Sequence, residues 1–169
     1  MRESMVELLA RLGRHWRAQG IEPLPGVSAD AVLRFEAQAG VRLPADVRTY
    51  FETFNGFADS AMDRELISFW PLARVRSVVA ELNHQEAVVP DGRALYCFAD
   101  YSIWCNAYAV RLSDATQAVT DVVAVYSGVD LIPAAGTFAD FLRAYIGPTP
   151  DSVLHPRWEK DGKQYGAAI

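Results

Sequence analysis

The sequence predicts a single α+β domain: a mainly antiparallel or mixed sheet of about four to six strands with helices packed around it. Three observations lead there. Helical patterns cluster in the first third of the chain, strand patterns cluster between residues 94 and 126, and one more helical pattern follows. Helices therefore do not alternate with strands, which argues against a doubly wound parallel sheet.

The first element is a helix, because Met5, Leu8, Leu9, Leu12 and Trp16 recur at steps of three and four. Gly20 stops it, and Pro23, Pro25 and Gly26 make the next stretch a loop. Ser28 is placed as an N-cap with Asp30 in the first turn, where the helix dipole favours an anion. The helix over residues 29–39 carries Val32, Phe35 and Ala39 and ends at Gly40, where a left-handed residue is wanted. Pro44 suits the start of a third helix with Val47, Tyr50, Phe51 and Phe54 on one face, ended by Asn55 and Gly56.

Residues 57–65 are small and polar and predict a mobile loop. A short strand over 66–70 closes at Pro71, and residues 73–86 fit a helix with Val75, Val78, Val79 and Leu82 inward. Pro90, Asp91 and Gly92 form a turn. Residues 94–99, 103–112 and 121–126 predict a meander of antiparallel strands, with 113–117 as a polar connection. In the middle strand Trp104, Tyr108, Val110 and Leu112 share a face that Asn106 interrupts. Residues 131–136 read as turn-rich. Phe138, Phe141, Leu142 and Tyr145 give the last helix, stopped by Gly147 and Pro148, and the tail beyond Pro150 is expected to pack loosely or extend.

Composition narrows the function. The chain has 169 residues, is 51% hydrophobic and carries a net charge of −5, which fits one domain with a real core. An acidic chain with scattered arginines argues against direct nucleic-acid binding, which needs clustered cations to displace counterions. No apolar run approaches the ~18–20 residues that span a bilayer, and Glu7 with the basic residues after it breaks any signal-peptide core. The expected location is the cytoplasm. Cys97 and Cys105 read as a reduced, buried pair, matching no zinc-ligand set.

Catalytic and cofactor motifs are missing from this sequence. His15, His84 and His155 fall in elements without a poised nucleophile. There is no GxGxxG and no phosphate-binding lysine loop, and no cofactor is expected. Trp70 and Trp104 each lie at a strand end beside a polar segment, and Tyr101 lies in a loop; each is either core or the kind of aromatic that anchors an interface. Asp100, at a strand end, caps a turn onto Ser102 or serves a site.

Several motifs, taken in order, resemble the SMI1/KNR4 (SUKH) superfamily. The strongest match runs from Phe35 to Gly56: a helix ending at Gly40, then Leu43-Pro44, Asp46 two residues on, an aromatic helix with Tyr50 and Phe51, and Asn55-Gly56. Others are residues 67–72 leading into Pro71, Leu72 and Val75; the run 95–100 followed by a strand ending at 109–112; and Thr137-Phe138 to Leu142. Together they cover about residues 28–146, leaving 1–27 as an N-terminal helix and loop packed on the domain and 147–169 as a tail. Tyr101-Ser102-Ile103-Trp104 departs from the family pattern, where Gly or acidic residues often stand.

The resemblance implies a protein-binding module without a shared catalytic apparatus or bound metal. Many bacterial members resemble immunity proteins that neutralise a cognate polymorphic toxin by direct binding; fungal members are regulatory interaction proteins. The expected partner is a protein, a cognate toxin domain, with a nuclease as one class whose basic groove would meet acids here. The residues expected to bind it are Asp59, Asp63, Glu65, Trp70, Asp100, Tyr101 and Trp104.

Overall fold

A computed structural model describes residues 3–83, 89, 91–114, 119–126, 130–156, 158–160 and 163–165, with side chains described as far as 156. Three helices open the chain, α1 (Met5–Ala18), α2 (Ala29–Ala39) and α3 (Ala45–Thr53). Strand β1 (Ile67–Phe69), a 3-10 turn (Leu72–Arg74), β2 (Arg76–Ser77) and the short α4 (Val78–Leu82) follow. The meander is β3 (Leu95–Tyr101), β4 (Asn106–Arg111), β5 (Val122–Tyr126) and β6 (Leu131–Ala135). The chain then forms α5 (Phe138–Tyr145), α6 (Asp151–Leu154) and a hairpin, β7 (Trp158–Lys160) with β8 (Lys163–Tyr165).

The caps explain where the early helices start and stop. Ser4 and Glu7 form a reciprocal capping box at α1, and the Ser28 hydroxyl accepts the Ala31 amide at α2. Gly40 closes α2 at φ +68°, the left-handed region a glycine enters without steric cost. Pro44 takes the N-cap position of α3, and Asp46 ties that helix to the far end of the chain: its carboxylate accepts the Thr120 hydroxyl, whose oxygen accepts the Phe138 amide at the start of α5.

One antiparallel sheet runs β1-β3-β4-β5-β6, with β2 also paired to β3, further along that strand. Its register sets Tyr96 opposite Val110 and Tyr108 opposite Ala124. The strands bury both faces. On one, Phe69, Phe98, Tyr108, Val110 and Ala124 pack against α1, α3, α5 and α6. On the other, Cys97, Ala107, Ala109, Val123 and Val125 pack under Trp70, Val78 and Val89. The larger core centres on edge-to-face aromatics: Trp16 meets Phe54, Phe57 and Phe69 at 5.0–5.3 Å between ring centroids.

Several expectations change. The helix expected over 73–86 shrinks to Val78–Leu82, because Arg76 and Ser77 pair with Cys97 and Tyr96 as a strand; His84, Gln85 and Glu86 lie outside the described residues. Residues 131–135 are a strand rather than turns; Pro133 is tolerated because β6 is an edge that needs no outward N–H there. The loop expected over 57–65 is anchored, with Phe57 and Asp63 buried. The tail begins in the core, with Val153 and Leu154 buried and the Leu154 carbonyl accepting the Tyr108 hydroxyl. Trp104 leaves the face of Tyr108 and joins the opposite cluster. Cys97 is buried but Cys105 is exposed. Pro90 and residues 115–118 lie outside the described residues.

Gly56 shows why a glycine follows Asn55. It sits at φ +68°, and a Cβ there would stand 2.5 Å from the Trp70 carbonyl carbon and oxygen. The Asn55 side chain meanwhile accepts the Leu72 amide at 2.7 Å. Gly56→Ala is expected to cost at least about 2 kcal/mol, lowering the melting temperature by roughly 5 °C or more in a domain of this size. A thermal unfolding scan checks this, and an unchanged midpoint would show that the approach of the two segments is not required.

Candidate partner-binding surface

The surface of interest lies at one end of the sheet, where β3 turns into β4. Ser102, Ile103 and Trp104 occupy left-handed conformations in succession, at φ 47°, 55° and 65°. Each such residue costs about 1–2 kcal/mol when it is not glycine, and for β-branched Ile103 the conformation is a marked outlier. The turn nevertheless presents Ile103 to solvent with 83% of its surface exposed. Leu66, at φ 62° and 43% exposed, lies beside it, its carbonyl accepting the Ser102 amide at 2.8 Å. An aliphatic pair is thus held out at the tip of two adjoining, strained turns.

Both turns are fixed from below by carboxylates. Asp100, the penultimate residue of β3 and only 4% exposed, accepts the Trp70 indole N–H at 2.5 Å on one oxygen and the Trp104 amide at 3.1 Å on the other. Arg74 lies 3.6 Å from the same carboxylate and stacks 3.9 Å above the Trp70 ring, a cation–π contact. The Trp104 indole N–H donates to Glu81 on α4 at 2.7 Å, and Glu81 also pairs with Arg76. Cys97, buried beneath this network, has its thiol pushed up to about 12 by desolvation, with the Glu81 charge acting in the same direction.

Asp63 does the equivalent work for the Leu66 turn. One oxygen accepts the amides of Glu65 and Ile67 at 2.9 Å each, and the other accepts the Tyr145 hydroxyl. Tyr145 in turn accepts the Trp16 indole N–H at 2.9 Å. The loop is therefore hung from the first and last long helices at once.

The seven residues expected from sequence separate in space. Trp70, Asp100 and Trp104 come together in one bonded cluster, Trp70 wholly buried and Trp104 half-buried. Asp63 is buried as a strut, so the exposure expected for it is corrected, and of the alternatives left open Trp70 takes the core one and Asp100 the turn-capping one, onto Trp104 rather than Ser102: each is drawn inward by hydrogen bonds its neighbours need. Asp59 and Glu65 are exposed on the loop. Tyr101 is half-buried, its ring edge-on to His155 at 4.8 Å, away from the Trp70 cluster. Sequence reasoning passed over Ile103 and Leu66. The signal for Ile103 was the isoleucine inside a segment that departs from the family pattern; Leu66 gave none, because an apolar residue before a strand normally points inward.

Among the described residues no group of three or more His, Cys, Asp or Glu side chains is placed to hold a metal ion, and no helix is long and apolar enough to cross a membrane. The family model described as SMI1 / KNR4 family (SUKH-1) matches residues 26–144. No curated protein matches the chain. The match spans most of the sequence, and the chain belongs to the SMI1/KNR4 (SUKH-1) family, a family of protein-binding modules.

Two outcomes follow from the struts and the turn. Ile103→Gly removes a left-handed penalty without removing a buried contact, so it should stabilise the protein by about 1 kcal/mol; urea unfolding reads this, and a loss of stability would mean the side chain packs rather than projects. For Asp63, burial outweighs its three donors and holds the carboxyl above its ordinary value. A folded pKa above the unfolded one gives stability fully present below the unfolded value and lost as pH rises through the folded pKa. The stability of the wild type relative to Asp63→Asn is therefore expected to fall from about pH 4 upward. A flat difference across a pH series of urea titrations would contradict the assignment.

Proposed function

We propose that this protein is an immunity protein that neutralises a cognate toxin domain by binding it directly and covering its working surface. The observation that carries the reading is the Ile103 turn: an exposed apolar residue kept in a costly backbone conformation by buried bonds. Strain of this kind persists where the surrounding structure over-determines it, and it clusters at functional positions. Family membership supplies the class, a protein-binding module, and the turn supplies the contact.

In this reading Ile103 and Leu66 form the apolar centre of the interface. Half-buried Trp104 stands behind them, its rotamer held by Glu81 and its backbone by Asp100. An aromatic immobilised before contact loses little entropy on binding, which is what gives such side chains their weight in interfaces. Glu65 and Asp59 lie on the adjoining loop as a rim, adding charge complementarity toward a basic toxin such as a nuclease. Asp63, Trp70 and Asp100 act as positioning residues behind the surface.

The test is calorimetric titration against an inactivated toxin domain encoded beside this gene. A dissociation constant at about nanomolar or tighter, near −12 kcal/mol, is expected for the wild type, and Ile103→Asp should weaken it at least about 100-fold, the range of an interface hot spot. Tight binding that Ile103→Asp leaves intact would move the interface elsewhere. No binding to any such domain, with capture of a host regulator instead, would replace the immunity role by that of a regulatory scaffold.

A further inference from the structure

A second surface lies away from the Ile103 turn. Helix α2 and the segment carrying β2 and the start of α4 enclose an open groove of about 580 Å³, within the range of about 300–1,000 Å³ usual for ligand sites. Its floor is apolar, with Val75 and Tyr96 buried and half-buried Phe35 set edge-on to the Tyr96 ring at 6.2 Å. The polar groups on its walls are Arg34 and Gln38 from α2, Arg76 and Ser77 from β2, and Asn55.

Two features define what fits there. The first is charge. The chain carries 21 acidic residues against 16 Lys and Arg, yet among the described residues no carboxylate lines the groove and two guanidinium groups do. Arg76 is neutralised by Glu81, whereas exposed Arg34 has no ion-pair partner among the described residues. The second is the backbone. Arg76 and Ser77 pair with Cys97 and Tyr96 on one side only, so the outer edge of β2 borders the groove with no strand against it among the described residues. An open edge beside an apolar floor is the arrangement that receives an extended peptide, main-chain bonds supplying affinity and alternate side chains specificity.

We infer that this groove binds an extended acidic segment of a partner protein. A carboxylate on the segment pairs with Arg34, an apolar residue two positions on faces Phe35 and Tyr96, and the segment's backbone runs along β2. This surface is separate from the Ile103 turn and does not depend on the immunity reading.

The experiment is fluorescence anisotropy on the full chain with labelled hexapeptides that hold valine two positions from the variable residue: SESVSE, SKSVSK and SSSVSS. The acidic peptide is expected to bind, with the lysine peptide at least about tenfold weaker, consistent with one well-placed charge pair at ~1.4 kcal/mol per tenfold. Arg34→Glu should abolish the preference or reverse it, and Ala80→Trp, at an exposed position on the groove wall, should block all three peptides. Both variants are checked for an unchanged melting midpoint; Gln38→Glu, also exposed on α2, replaces Arg34→Glu, and Gln38→Trp replaces Ala80→Trp, where either unfolds. Equal binding of the three peptides, no binding of the acidic one, or a preference that survives Arg34→Glu would overturn the inference. None of these outcomes bears on Ile103→Asp, so failure here is distinct from failure of the immunity role.

Discussion

The buried carboxylate of Asp100 is the constraint on which this end of the molecule depends. An ionised group taken out of water must be paired and fully hydrogen-bonded to be tolerated. Here it receives an indole N–H and a nearby guanidinium from the segment after β1, and a backbone amide from the turn after β3. Each partner gains as well: Trp70 buries its ring without orphaning its N–H, Arg74 gains an aromatic face, and the turn after β3 gains an amide contact that offsets part of its strain. Removal of the carboxylate would leave the Trp70 N–H unsatisfied at a cost of about 1–3 kcal/mol and would free the turn in the same stroke.

The residues by which the family is recognised belong mainly to the scaffold. Glu36, buried, accepts the Leu43 amide at 2.7 Å and Arg48 at 2.6 Å, which fixes the bend between α2 and α3. Asp46 reaches Thr120, Asn55 reaches Leu72, and Gly56 makes room for the backbone at Trp70. These bonds are long in sequence and short in space, so they fix which segments meet, whatever lies on the surface. The Ile103 turn, where the sequence leaves the family pattern, is free of such duties; its projecting side chain can vary while Asp100 and Trp70 keep its base in place.

Much of this was legible beforehand, for identifiable reasons. Helices α1, α2 and α5 declare themselves because Leu8, Leu12 and Trp16, or Phe138, Phe141 and Tyr145, repeat with the helical period and because Ser28, Gly40 and Thr137 mark their ends. Strands β3 and β5 declare themselves by composition. The errors share one cause, which is that pairing with a distant segment outweighs local pattern. Val75, Val78, Val79 and Leu82 have helical spacing, but β3 captures Arg76 and Ser77 first. Pro133 suggests a turn until an edge position for β6 removes the objection. Asp63 and Asp100 look like surface acids because nothing local shows that Tyr145, 82 residues away, or Trp70, 30 residues away, will donate to them. Exposure is inverted at part of the expected set: Asp63, Asp100 and Trp70 lie inside, Asp59 and Glu65 stay exposed, and Ile103 and Leu66 project.

That inversion bears on how the surface works. Left-handed isoleucine and leucine at exposed positions are choices that stability alone would not keep, since glycine or asparagine would serve either turn at lower cost. The bonds behind them connect without a break: Ile103 adjoins Trp104, Trp104 donates to Glu81, Glu81 holds Arg76, and Arg76 lines the groove beside α2. On the other side Leu66 leads through Asp63 to Tyr145 and Trp16. A surface backed in this way has lost its conformational freedom before any partner arrives, so its ordering entropy is charged to folding rather than to association. For a protein-binding module, that is the physically favourable place for the cost to fall.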